Sequence, residues 1–339
     1  MLDIFNGDAF NTVSLTRAIN AVPYVPGLLG ALGIYEPERI TTPAAAIESK
    51  GETLKLVQTS APGAPPGTRG RDKRQLRDLR TFRLALSDRI YAHEVAGMRA
   101  FGQETTLETM QGYAMGRMAK LRRDVDLTWE NLRLGGITGL VKDADGSTLI
   151  DYSAFWGISA PAAIDFDLGD PTTDVDAKCR EVVRTLERNS AGAMLPTSIV
   201  YGLCGDAFFD SLVAHDSVRE WYLNRPAADQ FLLGTRTRKV DFGGIVFINY
   251  RGTDDGTTVV IATDDCRFVI QGGRDIFQMV TAPRYESFEF MNTQGLDLYA
   301  LMVMDKDRSE WVDVEVYSYP LPVCTRPKTL LRGTRTAEE

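Results

Sequence analysis

Histidine is scarce in this 339-residue chain, with only His93 and His215. Cysteine is scarce too. Cys179, Cys204, Cys266 and Cys324 stand far apart with no CxxC pair, which excludes a zinc knuckle and a disulfide framework and leaves free thiols packed as small hydrophobes. Basic charge is in deficit: 38 Lys and Arg against 46 Asp and Glu give a net charge of −8. Nucleic acid is therefore no ligand of the whole surface, because such binding depends on basic side chains neutralising phosphates. No window approaches the length of apolar sequence needed to span a membrane. The opening Met1-Leu2-Asp3-Ile4-Phe5 has no basic run of the kind that starts a secretion signal. These absences describe a soluble globular protein made and kept in a cytosol. Proline is missing from Gly67 to Ala160 and returns at Pro161, a shift of composition within one chain.

That proline-free stretch holds a long helix. From Thr106 to Leu134, Leu107, Met110, Ala114, Met118, Leu121, Val125, Thr128 and Leu132 recur three and four apart, one stripe of an α-helix. Thr105 with Glu108 forms a capping box at its start, and Gly135-Gly136 supplies a left-handed stop. At 1.5 Å per residue the rod would run about 43 Å. Its phase places Leu121 on the buried stripe and Arg122 on the outer face.

Upstream, Arg39 to Ala92 reads as a long β-hairpin excursion. Thr53 to Ser60 and Arg80 to Ile90 alternate apolar and polar residues on either side of the Pro/Gly-rich Ala61 to Gly70. A two-stranded ribbon is marginal alone, so a neighbour must supply the missing surface. Met1 to Tyr35 reads as an extended arm with one short helix around Thr12 to Asn20. Downstream of the helix, Ile137 to Tyr152 is a hairpin turning at Asp143-Ala144-Asp145-Gly146.

Phe155 to Arg267 reads as an α/β lobe. It holds a helix capped by Thr172-Thr173 and running to Ser190, a strand Leu195 to Tyr201 and a helix from Gly205-Asp206. A hairpin of Gly244 to Tyr250 with Thr257 to Thr263 follows. Strands are then expected at Ser287 to Met291, Leu298 to Met304 and Trp311 to Tyr317, with Arg326 to Glu339 as a polar tail. These last strands need covering, and the long helix has the free apolar face. The chain should therefore leave one domain after about Ser153, build the lobe, and return near Phe268, an α+β architecture.

Candidate chemistry is thin. Ser211 and His215 would share a helix face beside Asp210 and Asp216, but there is no G-x-S-x-G elbow and no triad is assigned. Gly27, Gly30 and Gly33 are spaced GxxGxxG without a preceding strand or a GKS/GKT, so a flexible arm is the better reading than a phosphate loop. Asp143 and Asp145 lack the remaining ligands of a calcium loop, and Asp174 and Asp176 suit a helix start. No catalytic, cofactor or metal residue is assigned. One cluster stands out: Arg69, Arg71, Lys73, Arg74, Arg77 and Arg80, at the far end of the hairpin arm. In an acidic protein such a tip complements acidic surface on another copy; nucleic-acid binding and plain solvated charge are the competing readings.

The order of elements resembles the major capsid protein of lambda-like tailed phages, the capsid protein E family. The likeness rests on Val25-Pro26-Gly27-Leu28-Leu29-Gly30, Glu38-Arg39-Ile40-Thr41-Thr42, Arg80-Thr81-Phe82, Asp88-Arg89-Ile90 and Met98-Arg99-Ala100-Phe101-Gly102. Asp126-Leu127-Thr128-Trp129-Glu130, Gly139-Leu140-Val141 and Asp143-Ala144-Asp145-Gly146 complete it. The resemblance implies a Hong Kong 97-type fold. Residues 1–35 would be an N-terminal arm and 36–92 an extended loop lying across a neighbouring subunit. Residues 93–155 and 268–339 would form a peripheral domain whose spine helix is 106–134, and 156–267 an axial domain. It implies a structural protein rather than an enzyme, self-assembling as hexamers and pentamers into an icosahedral head around double-stranded DNA bound without sequence specificity. A separate scaffolding protein, a portal protein and a decoration protein would be its partners, the virion its location and the host cytoplasm its place of assembly. A cargo-holding nanocompartment of the same fold is the alternative, and an α/β hydrolytic enzyme a more distant one.

Overall fold

The computed structural model describes residues 12–21, 27–50, 74–95, 106–223, 239–252, 259–308 and 310–335. The helices are α1 (Thr12–Ala21), α2 (Leu28–Leu32), α3 (Ala92–Val95), α4 (Thr106–Thr138), α5 (Tyr152–Trp156), α6 (Val175–Ser190), α7 (Asp206–Ala214) and α8 (Asp216–Leu223). The strands of the first half are β1 (Glu36–Arg39), β2 (Ala44–Lys50), β3 (Arg74–Arg80), β4 (Leu84–Tyr91), β5 (Leu140–Lys142), β6 (Thr148–Asp151), β7 (Ile164–Asp165) and β8 (Ile199–Cys204). Those of the second half are β9 (Lys239–Phe242), β10 (Ile245–Asn249), β11 (Asp265–Gln271), β12 (Phe277–Thr281), β13 (Tyr299–Met304), β14 (Trp311–Ser318), β15 (Pro320–Cys324) and β16 (Leu331–Thr334).

The long helix is present and longer than its pattern. α4 has 33 residues, about 50 Å at 1.5 Å each. It runs through Gly135 and Gly136 and stops at Gly139, which has φ +89°. The two earlier glycines serve close packing: a Cβ on Gly135 would lie 2.7 Å from the Val141 Cα, and one on Gly136 would strike the Tyr35 hydroxyl. Thr105 lies outside the described residues. Of the expected stripe, Ala114, Met118, Leu121, Val125 and Leu132 are buried. They pack on the sheet ordered β13-β14-β4, whose Val312, Val314 and Val316 point inward, and on β15. Alternation in β14 half-buries one face and fully buries the other, as a strand covered mainly on one side requires.

The hairpin excursion is divided differently from its pattern. β2 pairs antiparallel with β3, Ala44 opposite Arg80 and Lys50 opposite Arg74, whereas the expected strand Thr53 to Ser60 lies outside the described residues. The run Arg80 to Ile90 is broken at Thr81-Phe82-Arg83, and β4 joins β14 in the body, Tyr91 opposite Trp311. β1 also belongs to the body, parallel to β12. The arm thus springs from a narrower base than 36–92, and Ala45 and Ile47 in that base are buried within the subunit rather than awaiting a neighbour.

The lobe is built on a six-stranded sheet, β7-β16-β11-β8-β10-β9, with Phe166, Phe208, Phe247 and Phe268 packed together inside it. Its membership corrects the expected boundaries. β16, expected as polar tail, lies between β7 and β11, and β11 runs past residue 268. Hydrogen-bond capacity explains the capture of the tail: a central strand needs partners on both edges, and Leu331 and Gly333 are buried there. α6 is capped by Asp174, which accepts from the Ala177 N–H at 3.0 Å, not by Thr172 or Thr173. The expected strand Leu195 to Tyr201 is β8, shifted to Ile199–Cys204. Of the expected hairpin after Gly244, β10 is formed, residues 253–258 lie outside the described set, and the return is a single bridge between Arg251 and Val260. Ser287 to Met291 forms turns, not a strand. The hairpin β5–β6 turns with Gly146 at φ +84° as expected.

Candidate functional site

A polar clamp crosses the middle of α4. Arg122 is only 6% exposed, against the expected outer face. Its Nη1 donates to the Ile19 carbonyl at the end of α1, and its Nε lies 3.6 Å from the Asp126 carboxylate. Two turns on, the buried Glu130 accepts from the backbone N–H groups of Leu29 at 2.7 Å and Gly30 at 3.3 Å, the start of α2. Tyr250 of the lobe donates its hydroxyl to Glu130 at 3.3 Å, and Arg133 stands 3.8 Å away. The Tyr35 hydroxyl closes the set on the Arg133 carbonyl at 2.6 Å. Trp129 donates to the Ser318 hydroxyl at 3.1 Å, joining the helix to β14.

Local chemistry explains the placement. The carbonyls at a helix end and the N–H groups at a helix start lack partners of their own helix, so a cation suits the first and an anion the second. The glycines read as a flexible arm instead form α2, and their spacing serves the clamp: a Cβ at Gly27 would come within 2.7 Å of both Glu130 oxygens. Burial pushes the Tyr35 and Tyr250 hydroxyls up, in Tyr250 with a further push from Glu130. Burial also pushes Asp126 up to about 6, against the lowering pull of Arg122 and Arg133. The clamp binds α1, α2, the Tyr35 segment, the lobe and β14 to α4.

Of the basic cluster, only Arg77 and Arg80 have described side chains, and these two do not share a face. Arg69, Arg71 and Lys73 lie outside the described residues. Arg74 sits at the start of β3, opposite Lys50, with its side chain outside that set. Arg77, opposite the buried Ile47, is turned to the body, its guanidinium 5.5 Å from the Phe155 ring centroid. Arg80, three residues on, is exposed on the other face of the strand.

Ser211 and His215 do not form a nucleophile and base. His215 caps α7 with extended backbone, its Nδ1 2.8 Å from the Ser217 hydroxyl and its Nε2 3.1 Å from the Asp170 carbonyl. Asp143 and Asp145 accept from the Ala144 and Ser147 backbone N–H groups in their own turn. All four cysteines are buried free thiols, and Cys204 and Cys266, distant in sequence, face each other across β8 and β11 at 3.4 Å.

Three placements escaped the sequence pattern: the burial of Arg122 and Glu130 and the exposure of Phe288. Apolar periodicity is blind to buried charge. The alternation of Ser287 to Met291 would put Phe288 and Phe290 on one face, whereas the turns bury Phe290 and leave Phe288 outside.

Comparison with known proteins agrees with this geometry. The family model for phage major capsid protein E matches residues 11–335. The major capsid protein of Salmonella phage Felix O1 (isolate Felix O1-VT1) is 26% identical over 362 residues, covering 95% of each chain. Among solved structures, a protein described as the capsid protein of a prophage of E. coli CFT073 superposes with a TM-score of 0.57 at 16% identity, covering 96% of this chain and 99% of that one. The capsid structure of cyanophage P-SCSP1u gives 0.50 at 12% identity, over 94% and 91%. These two likenesses bear on the fold, which is the Hong Kong 97-type capsid architecture.

Proposed function

Because the chain belongs to the phage major capsid protein E family and is a structural protein of the phage head shell, we propose that it assembles by laying its hairpin arm across a neighbouring copy. The match over nearly the whole chain carries this reading. The hairpin supports it: β2 and β3 form a two-stranded sheet of their own, rooted on the body through Ala45, Ile47 and Arg77. A ribbon of two strands gains little stability alone. The segment between them carries the Pro/Gly-rich connector and three of the six clustered basic residues.

In this reading residues 1–35 are the N-terminal arm, the β2–β3 hairpin with the segment between its strands the extended loop, α4 the spine of a peripheral domain, and the lobe the axial domain. The lobe meets its copies around the axis of hexamers and pentamers. A scaffolding protein guides assembly in the host cytoplasm, a portal protein occupies one vertex, and a decoration protein binds outside. The DNA within is held without sequence recognition. The family assignment, being to phage capsid proteins, sets aside the nanocompartment alternative.

The arm tests the proposal. Replacing residues 51–73 by Asn-Gly would join Lys50 to Arg74 through a two-residue turn, which their pairing allows. The expected product is a folded subunit with unchanged helix signal by circular dichroism that sediments as free subunits. Shells of normal size would overturn the proposal, and global unfolding would assign the segment to the subunit's own core.

A further inference from the structure

A strand at the edge of a sheet carries a row of backbone N–H and C=O groups without a partner strand, and such a row invites pairing with another chain. In the sheet β13-β14-β4, β13 is an edge strand, paired only with β14 and antiparallel to it. The direction of its hydrogen bonds is fixed just past its end, where the Asp305 N–H donates to the Trp311 carbonyl at 3.1 Å. Backbone groups alternate in direction along an antiparallel ladder, so Tyr299, Leu301 and Val303 turn theirs toward β14. Ala300, Met302 and Met304 turn theirs outward.

Among the described residues no strand meets those outward groups; α1 does. The Thr16 hydroxyl accepts from the Ala300 N–H at 3.1 Å and donates to the Ala300 carbonyl at 3.2 Å, doing for that residue what a neighbouring strand would do. One turn on, the Asn20 side-chain amide donates to the Leu298 carbonyl at 2.9 Å, just ahead of the strand. Leu15 and Ile19 pack beside them, buried as Thr16 is, and Arg122 of α4 holds the Ile19 carbonyl. Threonine and asparagine are mediocre helix formers, because their side chains compete for backbone hydrogen bonds. Four residues apart on an otherwise apolar helix face, they have a use here: they satisfy the open edge of a sheet.

We propose that α1 is a guard on this edge, keeping the outward groups of β13 from pairing with the same edge of a second copy of the chain. A second copy is the occupant because whatever uncovers the edge in one subunit uncovers it in all. Two such strands laid antiparallel about a two-fold axis are self-complementary. The guard acts in the free subunit, so the inference goes beyond the assembly reading and does not depend on the hairpin arm.

The test uses the full chain at a concentration where the parent sediments as free subunits. Thr16→Val keeps the outline of the side chain and removes both bonds to Ala300; Asn20→Leu removes the third. The double variant should exchange the Ala300 amide hydrogen about tenfold faster than the parent and sediment as dimers. Adding Met302→Pro should return it to free subunits, because proline there deletes an outward N–H and leaves the ladder to β14 intact. Thr16→Ser, which keeps the hydroxyl, should match the parent in both measurements. Free subunits in the double variant, or dimers that persist with Met302→Pro, overturn the proposal. If the double variant loses its circular dichroism signal, Thr16→Val alone is read in the same way, and unfolding there too makes α1 part of the core and overturns the guard. None of these results bears on the hairpin arm, whose test is shell formation.

Discussion

The two flanks of α4 are both buried, by opposite means. On one flank Ala114, Met118, Leu121, Val125 and Leu132 meet the inward valines of β14, side chain against side chain. On the other, Arg122 and Glu130, backed by Asp126 and Arg133, meet the ends of α1 and α2, where backbone carbonyls and N–H groups lack partners of their own helix. A sheet face presents hydrocarbon and a helix end presents dipoles, so the same rod carries an apolar stripe and a charged one. Burial on a helix is therefore set by what covers it. The charged flank also reaches Tyr250, so the N-terminal segment, the helix and the lobe share one network.

The largest effect should come from removing a charge from that network. Glu130→Ala strips the start of α2 and Tyr250 of their acceptor and leaves Arg133 buried beside an empty site. A loss of about 3–5 kcal/mol is expected, as for other broken buried pairs, measurable by urea denaturation of the free subunit. Arg122→Asp should match Leu121→Asp in lost soluble yield, because both put an unpartnered carboxylate inside. Free tolerance of Arg122→Asp would show that the charged flank is open to water and break the comparison.

A smaller effect is expected from pH. Asp126, at about 6 in the fold, lies above the value of about 3.9 for an unfolded aspartate, so the folded chain holds the proton more tightly. Its contribution is complete below pH about 4 and is lost as pH rises through 6, by about 1–3 kcal/mol. Asp126→Asn should abolish that slope. Stability curves of parent and variant that run parallel from pH 4 to 8 would show that Asp126 is not the responsible group.

The smallest effect sharpens the contrast between inside and outside on the arm. Arg77→Ala should cost about 0.5–1 kcal/mol through its lost contact with the Phe155 ring. Arg80→Glu should leave the melting temperature unchanged and slow assembly most at low salt, where exposed charges are least screened. Equal assembly rates at every salt concentration would remove Arg80 from the contact between copies.

Patterns of apolar spacing made much of the body legible: α4 and its stripe, α1, the β5–β6 hairpin, α6, β13 and β14. They also made legible the order of elements that resembles the capsid family. Prolines hid two strands. Pro37 in β1 and Pro320 and Pro322 in β15 interrupt a strand pattern, yet both strands lie at sheet edges, where a missing N–H is tolerated. The tail strand β16 was hidden for another reason: its short run Leu330-Leu331 sits among arginines and threonines, and only the open edge of β11 makes it a strand.

What the sequence determined by itself was periodicity, and with it the helix, the alternating strands and the family likeness, because these depend on neighbours within a few residues. What the tertiary structure decided was which polar residues go inside and which apolar one stays out. Arg122 and Glu130 are buried because α1 ends and α2 begins against them, partners roughly one hundred residues away. Phe288 is exposed because Tyr285 and Phe290 on either side are pinned to β15's neighbour Tyr319 and to β13. A charge or a phenyl ring has no preferred side until the surface opposite it exists, and that surface comes from distant chain.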